Sequence, residues 1–171
     1  MFSRVEEQKG QHLVLDAMNM SANEMQLCVI GHVMSSQYKE DLLIKAKIYH
    51  LTKYLKFINF LDSPMSYMPF FDLVILPTYE ETFGLVVAEA MIMGVPAIGS
   101  NAGGVPEIIA HGKNGLLFET KNINDLSEKI DMIFENKILR DNLVSNANEY
   151  AYKEFGYDKH FDRLEKIFNS L

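Results

Sequence analysis

The sequence predicts a doubly wound α/β domain, which is a parallel sheet with helices on both of its faces. Two observations lead to this fold class: short apolar runs rich in β-branched or aromatic residues, and helical patterns that alternate with them. The apolar runs lie at 27–30, 57–61, 73–76, 96–98 and 116–118, and the helical patterns at 11–20, 39–50, 85–93, 105–110 and 126–134. A parallel connection needs a crossover, and the crossover helix covers one face of the sheet, so the alternation favours a Rossmann-like arrangement.

The two ends of the chain depart from this regular pattern. At the start, three residues precede a turn-like region at 4–10, so the first strand is predicted to be shortened, as in a chain taken from a longer protein. At the end, polar amphipathic segments at about 137–152 and 158–168 predict two terminal helices. No repeat, low-complexity tract or Pro/Gly-rich linker interrupts the chain, so we expect a single domain over 1–171.

Composition excludes several functional classes. Sixteen Lys and Arg against twenty-three Asp and Glu leave a net charge of −7, which argues against a broad electrostatic surface for nucleic acid or anionic lipid. No apolar stretch is long enough to span a membrane, and the charged residues within 1–10 are unlike a secretion signal. The single cysteine, Cys28, has no partner for an intrachain disulfide, and its apolar neighbours predict a buried strand thiol. These features suit a cytoplasmic protein.

Residues 77–91 combine a strand end, a turn and a helix start, and they contain the strongest candidate site. In open α/β sheets, ligands bind at the carboxyl ends of the strands. The predicted helix opens after Gly84, and the free N–H groups and partial positive charge of its first turn suit a phosphate. Glu81 lies just outside this helix and Glu89 lies inside it. If the phosphate belongs to a nucleotide-sugar, one carboxylate can accept hydrogen bonds from the sugar hydroxyls and the other from the ribose hydroxyls.

Both glutamates also have a purely structural explanation. Glu81 alone is well explained as an acid at a helix start, where it balances the helix dipole. For Glu89 this kind of explanation is weaker, because its neighbours in sequence are apolar and a carboxylate in such surroundings needs a polar partner.

The motif closely resembles the donor-site signature of the retaining glycosyltransferase family 4. The resemblance rests on residues 81–91 (ETFGLVVAEAM) followed by Gly94-Val95-Pro96, and on two later segments in the expected order, 100–107 (SNAGGVPE) and 112–118 (GKNGLLF). It implies that the chain is the C-terminal, nucleotide-sugar-binding half of a glycosyltransferase with the GT-B fold. The N-terminal acceptor domain of such an enzyme is expected to be absent from this sequence.

Two cations near the start of the chain fit the same family. Arg4 and Lys9 resemble the pair that contacts the donor diphosphate, where fixed positive charge stabilises the departing group more strongly than the ground state. Without the later motif, both would be interpreted as solvated surface cations beside Glu6 and Glu7.

The resemblance therefore assigns roles to individual residues. Arg4, Lys9 and Glu81 are predicted to be catalytic, with Glu81 holding the donor sugar. The predicted substrate-binding residues are Glu89, which would hold the ribose, and the turn residues Phe83, Gly84, Leu85, Gly103 and Gly104. The two adjacent glycines before a proline are equally explained as a tight turn that touches no ligand.

Two positions depart from the family's pattern close to the expected base pocket. Gly31-His32 ends one predicted strand where a glycine-rich turn is more common, and Asn59 stands where a glycine is common after the next strand. His32 is equally a turn histidine or a ligand contact. The identity of the base is left open by these departures, with UDP-linked and GDP-linked donors both compatible.

The sequence contains no motif for a metal or for hydrolytic chemistry. There is no Asp-x-Asp pair and no cluster of His, Cys and carboxylates at metal-ligand spacing, so we expect metal-independent donor binding and no cofactor. The histidines and Cys28 stand in unrelated segments, which argues against Ser-His-Asp or Cys-His catalysis.

The predicted function is transfer of a sugar, of the hexosyltransferase type, from a nucleoside diphosphate sugar to a glycan or lipid-linked acceptor with retention at the anomeric carbon. Polysaccharide biosynthesis is the expected setting, with the full enzyme in the cytoplasm or at the cytoplasmic face of the membrane. This chain alone is expected to lack full activity.

The family suggests a front-side reaction, and double displacement with Glu81 as nucleophile stays open. The alternative function is a nucleotide-sugar-binding module that works with a partner chain.

Overall fold

A computed structural model describes residues 1–155 and confirms the α/β fold class. The strands are β1 (Leu27–Ile30), β2 (Leu55–Ile58), β3 (Val74–Leu76), β4 (Ala97–Ser100) and β5 (Leu116–Phe118). The helices are α1 (Gln11–Met20), α2 (Ser36–Ile48), α3 (Leu85–Ile92), α4 (Val105–Ile108), α5 (Ile123–Glu135) and α6 (Lys137–Phe155). Within residues 1–155, none of these helices has the length and apolarity needed to cross a bilayer. The helix predicted at 158–168 lies outside the described residues.

Most predicted elements are found, and the differences in their bounds have local causes. α2 begins three residues earlier than predicted because the Ser35 hydroxyl accepts a hydrogen bond from the Tyr38 N–H (3.2 Å) and caps the helix. α5 begins earlier because Asn122 caps it in the same way. The prediction of a strand at 57–61 was wrong at its end, since β2 stops at Ile58 and the apolar residues that follow it turn out of the sheet.

The strands form two parallel groups. β1 pairs with β2, while β4 lies between β3 and β5. Residues 1–5 run alongside β1 as isolated bridges: the Ser3 N–H donates to the Ile30 carbonyl (3.0 Å), and the Val5 N–H donates to the His32 carbonyl (2.8 Å). Residues 1–5 therefore extend the β1–β2 group, while β3, β4 and β5 form a separate group.

One hydrophobic core lies on each face of the strands. In β3, Ile75 belongs to one core while Val74 and Leu76 belong to the other, because successive side chains of a strand point to opposite faces. The first core is filled from α1, α2 and α5 by buried residues that include Leu15, Leu42, Leu126 and Ile130. The second is filled from α3, α4 and α6 by buried residues that include Met91, Ile108 and Ala147. Helices thus cover both faces, as the doubly wound pattern predicts.

Cys28 departs from its predicted environment. It lies in β1, but its thiol is only half-buried and is 3.8 Å from the Gln26 side-chain oxygen. The prediction of a fully buried strand thiol was wrong because Cys28 is the one partly exposed position in the four-residue strand, between the buried Leu27 and Val29.

The turn before α1 packs directly on the segment that follows β3. Gly10 has φ = 68°, and a Cβ at this position would lie 2.1 Å from the Pro77 carbonyl oxygen. Next to this contact, the Tyr79 N–H donates to the Gln8 carbonyl (3.0 Å). A side chain at position 10 would both strain the backbone and separate the two segments.

Gly10→Ala is therefore expected to lower the free energy of unfolding by about 3 kcal/mol or more, since left-handed strain and backbone overlap add together. Gly94→Ala is the matched control: its φ is 70°, and no atom of the described residues lies within 4 Å of the added Cβ. The control should lose only about 1 kcal/mol. Urea denaturation followed by circular dichroism measures both, and equal losses would show that contact with Pro77 is not what requires glycine.

Candidate functional site

The β3–α3 loop, residues 77–84, is held by hydrogen bonds from the end of β4. The Ser100 hydroxyl donates to the Thr78 carbonyl (2.6 Å), and the Thr78 hydroxyl donates to the Glu80 carbonyl (2.7 Å). Both side chains are fully buried, so these bonds do not compete with water. The Gly104 N–H adds a bond to the Glu81 carbonyl (2.8 Å). The loop backbone is thus fixed on either side of Glu80.

Gly103 and Gly104 allow the turn after β4 to press against this loop. A Cβ at Gly103 would lie 2.0 Å from the Glu81 carbonyl oxygen, and one at Gly104 would lie 2.3 Å from the Thr82 carbonyl oxygen. This close packing accounts for both glycines without a ligand, as the steric explanation anticipates. Their direct contact with substrate stays a prediction.

The N-terminus of α3 opens onto the surface beside the loop. Gly84 is its N-cap, in the left-handed region with φ = 90°. Leu85, the first residue of the helix, is 66% exposed. The Val87 N–H donates to the Gly84 carbonyl (2.8 Å), so Leu85 and Val86 are the first-turn residues whose N–H groups can meet an anion at this positive end of the helix.

Lys9 and Glu81 meet at this helix end. The Lys9 Nζ lies 2.9 Å from Glu81 Oε2, and both side chains are about four-fifths buried, with exposed fractions of 17% and 20%. This contact joins residues that are 72 positions apart in sequence. Lys9 is therefore not a solvated surface cation, and Glu81 is not only a helix-start acid.

Arg4 lies in the same place but is more exposed. Its guanidinium forms an ion pair with Glu6 at 2.9 Å, and 55% of the side chain is accessible. A pocket of about 250 Å³ brings Arg4 together with Lys9, Glu81, Gly84 and Leu85. The predicted catalytic residues and two of the predicted turn residues thus share one small pocket.

A larger cavity of about 450 Å³ continues from this pocket and shares Arg4 and Leu85 with it. Glu89 lines the cavity and is half-buried, and burial raises the pKa of its carboxyl group. No hydrogen bond or ion pair to the Glu89 carboxylate is found among residues 1–155. A polar ligand in the cavity can therefore supply the hydrogen-bond partner that the Glu89 carboxylate needs.

Two aromatic rings at the ends of β1 and β2 form another wall of the cavity. The His32 imidazole stacks on the Phe60 ring with their centroids 4.9 Å apart and their planes 6° from parallel. Phe60 is a member of this wall that was predicted to lie inside a buried strand and not in the site. Its position past the end of β2 is visible only in the structure, where the strand stops at Ile58, at the sheet edge where ligands bind.

Phe83 has a different position from the other motif residues. It lines neither of these two cavities and instead packs edge-on against Phe155, with ring centroids 6.0 Å apart. Phe83 thus attaches the loop to the end of α6, and its predicted contact with substrate stays a prediction.

The described part of the chain, residues 1–155, contains no group of three or more His, Cys, Asp or Glu side chains that could hold a metal ion. Arg4, Lys9 and the N-terminus of α3 are the sources of positive charge at the groove formed by the two cavities.

The comparison with protein families identifies the class of the protein. The model for glycosyl transferases group 1 matches residues 1–150, and the chain belongs to this family. Two relatives are uncharacterised glycosyltransferases of Methanocaldococcus jannaschii, 30% identical over 157 residues and 32% identical over 164 residues. These matches cover 91% and 96% of this chain but 40% and 45% of the relatives, so the chain spans less than half of their length.

Solved structures with the GT-B fold superpose on nearly the whole chain. HepE of Anabaena in complex with UDP has a TM-score of 0.94 at 28% identity, over 99% of this chain and 48% of HepE. The same protein with UDP-glucose has a TM-score of 0.92. The C-terminal domain of a group 1 glycosyl transferase from Francisella tularensis has a TM-score of 0.82 at 27% identity, over 91% of this chain and 85% of that one.

Glu89→Gln is expected to raise the free energy of unfolding at pH 7, because burial makes the ionised carboxylate costly in the folded protein. As the pH falls through the raised pKa of Glu89 towards its ordinary value of 4.5, the folded protein takes up the proton and this cost disappears. The stabilities of the two proteins should then converge. Urea denaturation at a series of pH values tests the sign, with Glu128→Gln on the exposed side of α5 as the control. A difference that grows towards acid would contradict it.

Proposed function

We propose that this chain is the donor-binding domain of a retaining glycosyltransferase of family 4 that transfers a hexose from a UDP-sugar to a glycan or lipid-linked acceptor. The observation that carries the proposal is Glu89, a half-buried carboxylate without a partner among residues 1–155, in a groove that also contains the Lys9–Glu81 pair and the N-terminus of α3. Because the chain spans about half of HepE, the acceptor and the complete reaction belong to the proposal.

The groove accommodates the donor in one direction. The diphosphate lies at the N-terminus of α3, where Arg4 and Lys9 add positive charge. The nucleoside lies in the larger cavity, with its ribose hydroxyls donating to Glu89 and its base near His32 and Phe60. The sugar then lies at the other end, beside Glu81. The complexes of HepE with UDP and UDP-glucose support a uridine donor.

The reaction proceeds by breaking the bond between the anomeric carbon and the diphosphate oxygen. Negative charge grows on the diphosphate as it leaves, so fixed cations and helix N–H groups stabilise the transition state more than the bound donor. The acceptor oxygen forms its bond to the anomeric carbon on the face that the diphosphate leaves, and its proton passes to the departing diphosphate oxygen. Because the new bond forms on the same face as the broken one, the configuration is retained. The ion pair with Lys9 favours a binding role for Glu81 over nucleophilic attack, since it engages one carboxylate oxygen. Two side-chain cations at the diphosphate make a metal ion unnecessary in this scheme.

The first test of the proposal is nucleotide binding. The chain is expected to bind UDP, and isothermal titration calorimetry with UDP, GDP and ADP measures the preference. If a folded sample binds none of the three at millimolar concentration, the donor-domain proposal is wrong.

Glu89→Ala should weaken UDP binding about tenfold or more, because it removes a charged acceptor of the ribose hydroxyls. Glu81→Ala should weaken it less, since Glu81 is assigned to the sugar and UDP carries none. Glu128→Ala, at an exposed position of α5, is the control and should bind UDP as the unmodified chain does. Equal losses at Glu89 and Glu81 would contradict the assignment of the two carboxylates.

The aromatic wall gives an independent test. Phe60→Ala should weaken UDP binding by about fivefold or more, because base–aromatic stacking contributes on the order of 1–3 kcal/mol. Phe70→Ala, which truncates a phenylalanine that is 81% exposed and lines neither part of the groove, should leave UDP binding unchanged. Unchanged UDP affinity in Phe60→Ala would place the base elsewhere.

A further inference from the structure

The β3–α3 loop is anchored by a side chain as well as by its backbone. Tyr79 lies two residues before Glu81, and its hydroxyl is 2.7 Å from His12 Nε2 on α1. The other ring nitrogen, Nδ1, is 2.7 Å from the Tyr38 hydroxyl on α2. One imidazole thus links the loop to two helices of the first hydrophobic core.

The geometry of this link is well defined. The His12 ring is nearly perpendicular to both tyrosine rings, at 88° to Tyr38 and 82° to Tyr79. Tyr38 also accepts a hydrogen bond from the His12 backbone N–H (3.2 Å). On the loop side, the Lys121 ammonium group lies 4.5 Å from the centroid of the Tyr79 ring. Tyr79 is therefore held at its hydroxyl and at its ring.

The protonation state of His12 suits this arrangement. Burial and the nearby Lys45 lower the pKa of His12, against the smaller opposing effects of Asp16 and Glu7. A neutral imidazole has one donor and one acceptor nitrogen, so it can serve both hydroxyls at once. Each tyrosine hydroxyl can donate to the acceptor nitrogen or accept from the other.

We propose that Tyr79, oriented by His12, is a positioning residue that sets the place of the β3–α3 loop for the donor diphosphate, an inference that rests on the proposed function. The loop carries Glu81 and leads into the N-terminus of α3, the two features that meet the diphosphate end of the donor. No residue of the loop 77–84 lines the cavity for the nucleoside, which shares Arg4 and Leu85 with the smaller pocket and extends from there to the ends of β1 and β2 and to Glu89. Loss of the tyrosine hydroxyl should therefore affect the diphosphate more than the nucleoside.

The test compares two ligands that differ by one phosphate, UDP and UMP, by calorimetric titration of the full chain. Tyr79→Phe keeps the ring and its contact with Lys121 but removes the hydroxyl. We expect its affinity for UDP to fall about fivefold, as for one lost hydrogen bond, while its affinity for UMP stays within about twofold. Tyr49→Phe is the matched control, since it removes a hydroxyl at the end of α2 that donates to Asp16 (2.8 Å) and to no residue of the loop. It should bind both ligands as the unmodified chain does.

Two variants of His12 separate an effect on the position of the loop from a general loss of stability. His12→Gln keeps a donor and an acceptor on the side chain, whereas His12→Leu keeps neither. The ratio of UDP affinity to UMP affinity should fall further in His12→Leu than in His12→Gln. This comparison also serves if Tyr79→Phe does not fold, which circular dichroism would reveal.

The outcomes separate the two proposals. If the unmodified chain binds no UDP, the proposed function is wrong and this inference falls with it. If the unmodified chain binds UDP but Tyr79→Phe binds it equally well, or loses UDP and UMP affinity to the same extent, the positioning role is wrong and the proposed function stands.

Discussion

The contact between the turn before α1 and the segment after β3 is the constraint on which the site depends. Gly10 lies against the Pro77 carbonyl, and Tyr79 bonds to Gln8 beside it. One segment follows residues 1–5, which run beside β1, and the other follows β3 in the separate three-stranded group. Their close packing brings Lys9 within reach of Glu81. Without it, the predicted cation and the predicted carboxylate would belong to separate surfaces of the domain.

Local charge arrangement matters here more than total charge. The chain carries a net charge of −7, yet the groove collects Arg4, Lys9 and the N-terminus of α3 around one small pocket. A positive end of a helix and two cations fixed by carboxylates can bind an anion although the domain as a whole would repel it. The mostly buried pair of Lys9 with Glu81 orients this cation without a ligand, and a pre-oriented group lowers the entropy cost of binding an anion.

The sequence predicts the framework of this fold well and its site in part. Short apolar runs locate the strands, because a strand buried on both faces is hydrophobic throughout, and the helical patterns between them locate the helices. The motif residues Glu81, Gly84 and Leu85 and the distant Arg4 and Lys9 do meet in one pocket. The contribution of Phe60 was missed, because an apolar residue after a strand has no periodic pattern to separate it from the strand itself.

The link between His12 and Tyr79 was equally invisible in the sequence, for a different reason. The two residues are 67 positions apart, and each alone fits its own element. Their contact exists only because α1 and the β3–α3 loop are brought together by the packing around Gly10. A hydrogen bond between a helix and a distant loop depends on how the two pack in the folded protein, and no local pattern in a single sequence reports that packing.

The glycine pair after β4 supports the backbone of the β3–α3 loop without contacting the loop side chains of Glu81 and Thr82. Gly103 and Gly104 contact the main-chain atoms of Glu81 and Thr82, not their side chains. The shape of the loop is therefore insensitive to which side chain stands at an exposed position such as Thr82. Under the proposed function, exchange of such side chains can change the donor preference while the loop backbone beside the diphosphate keeps its shape.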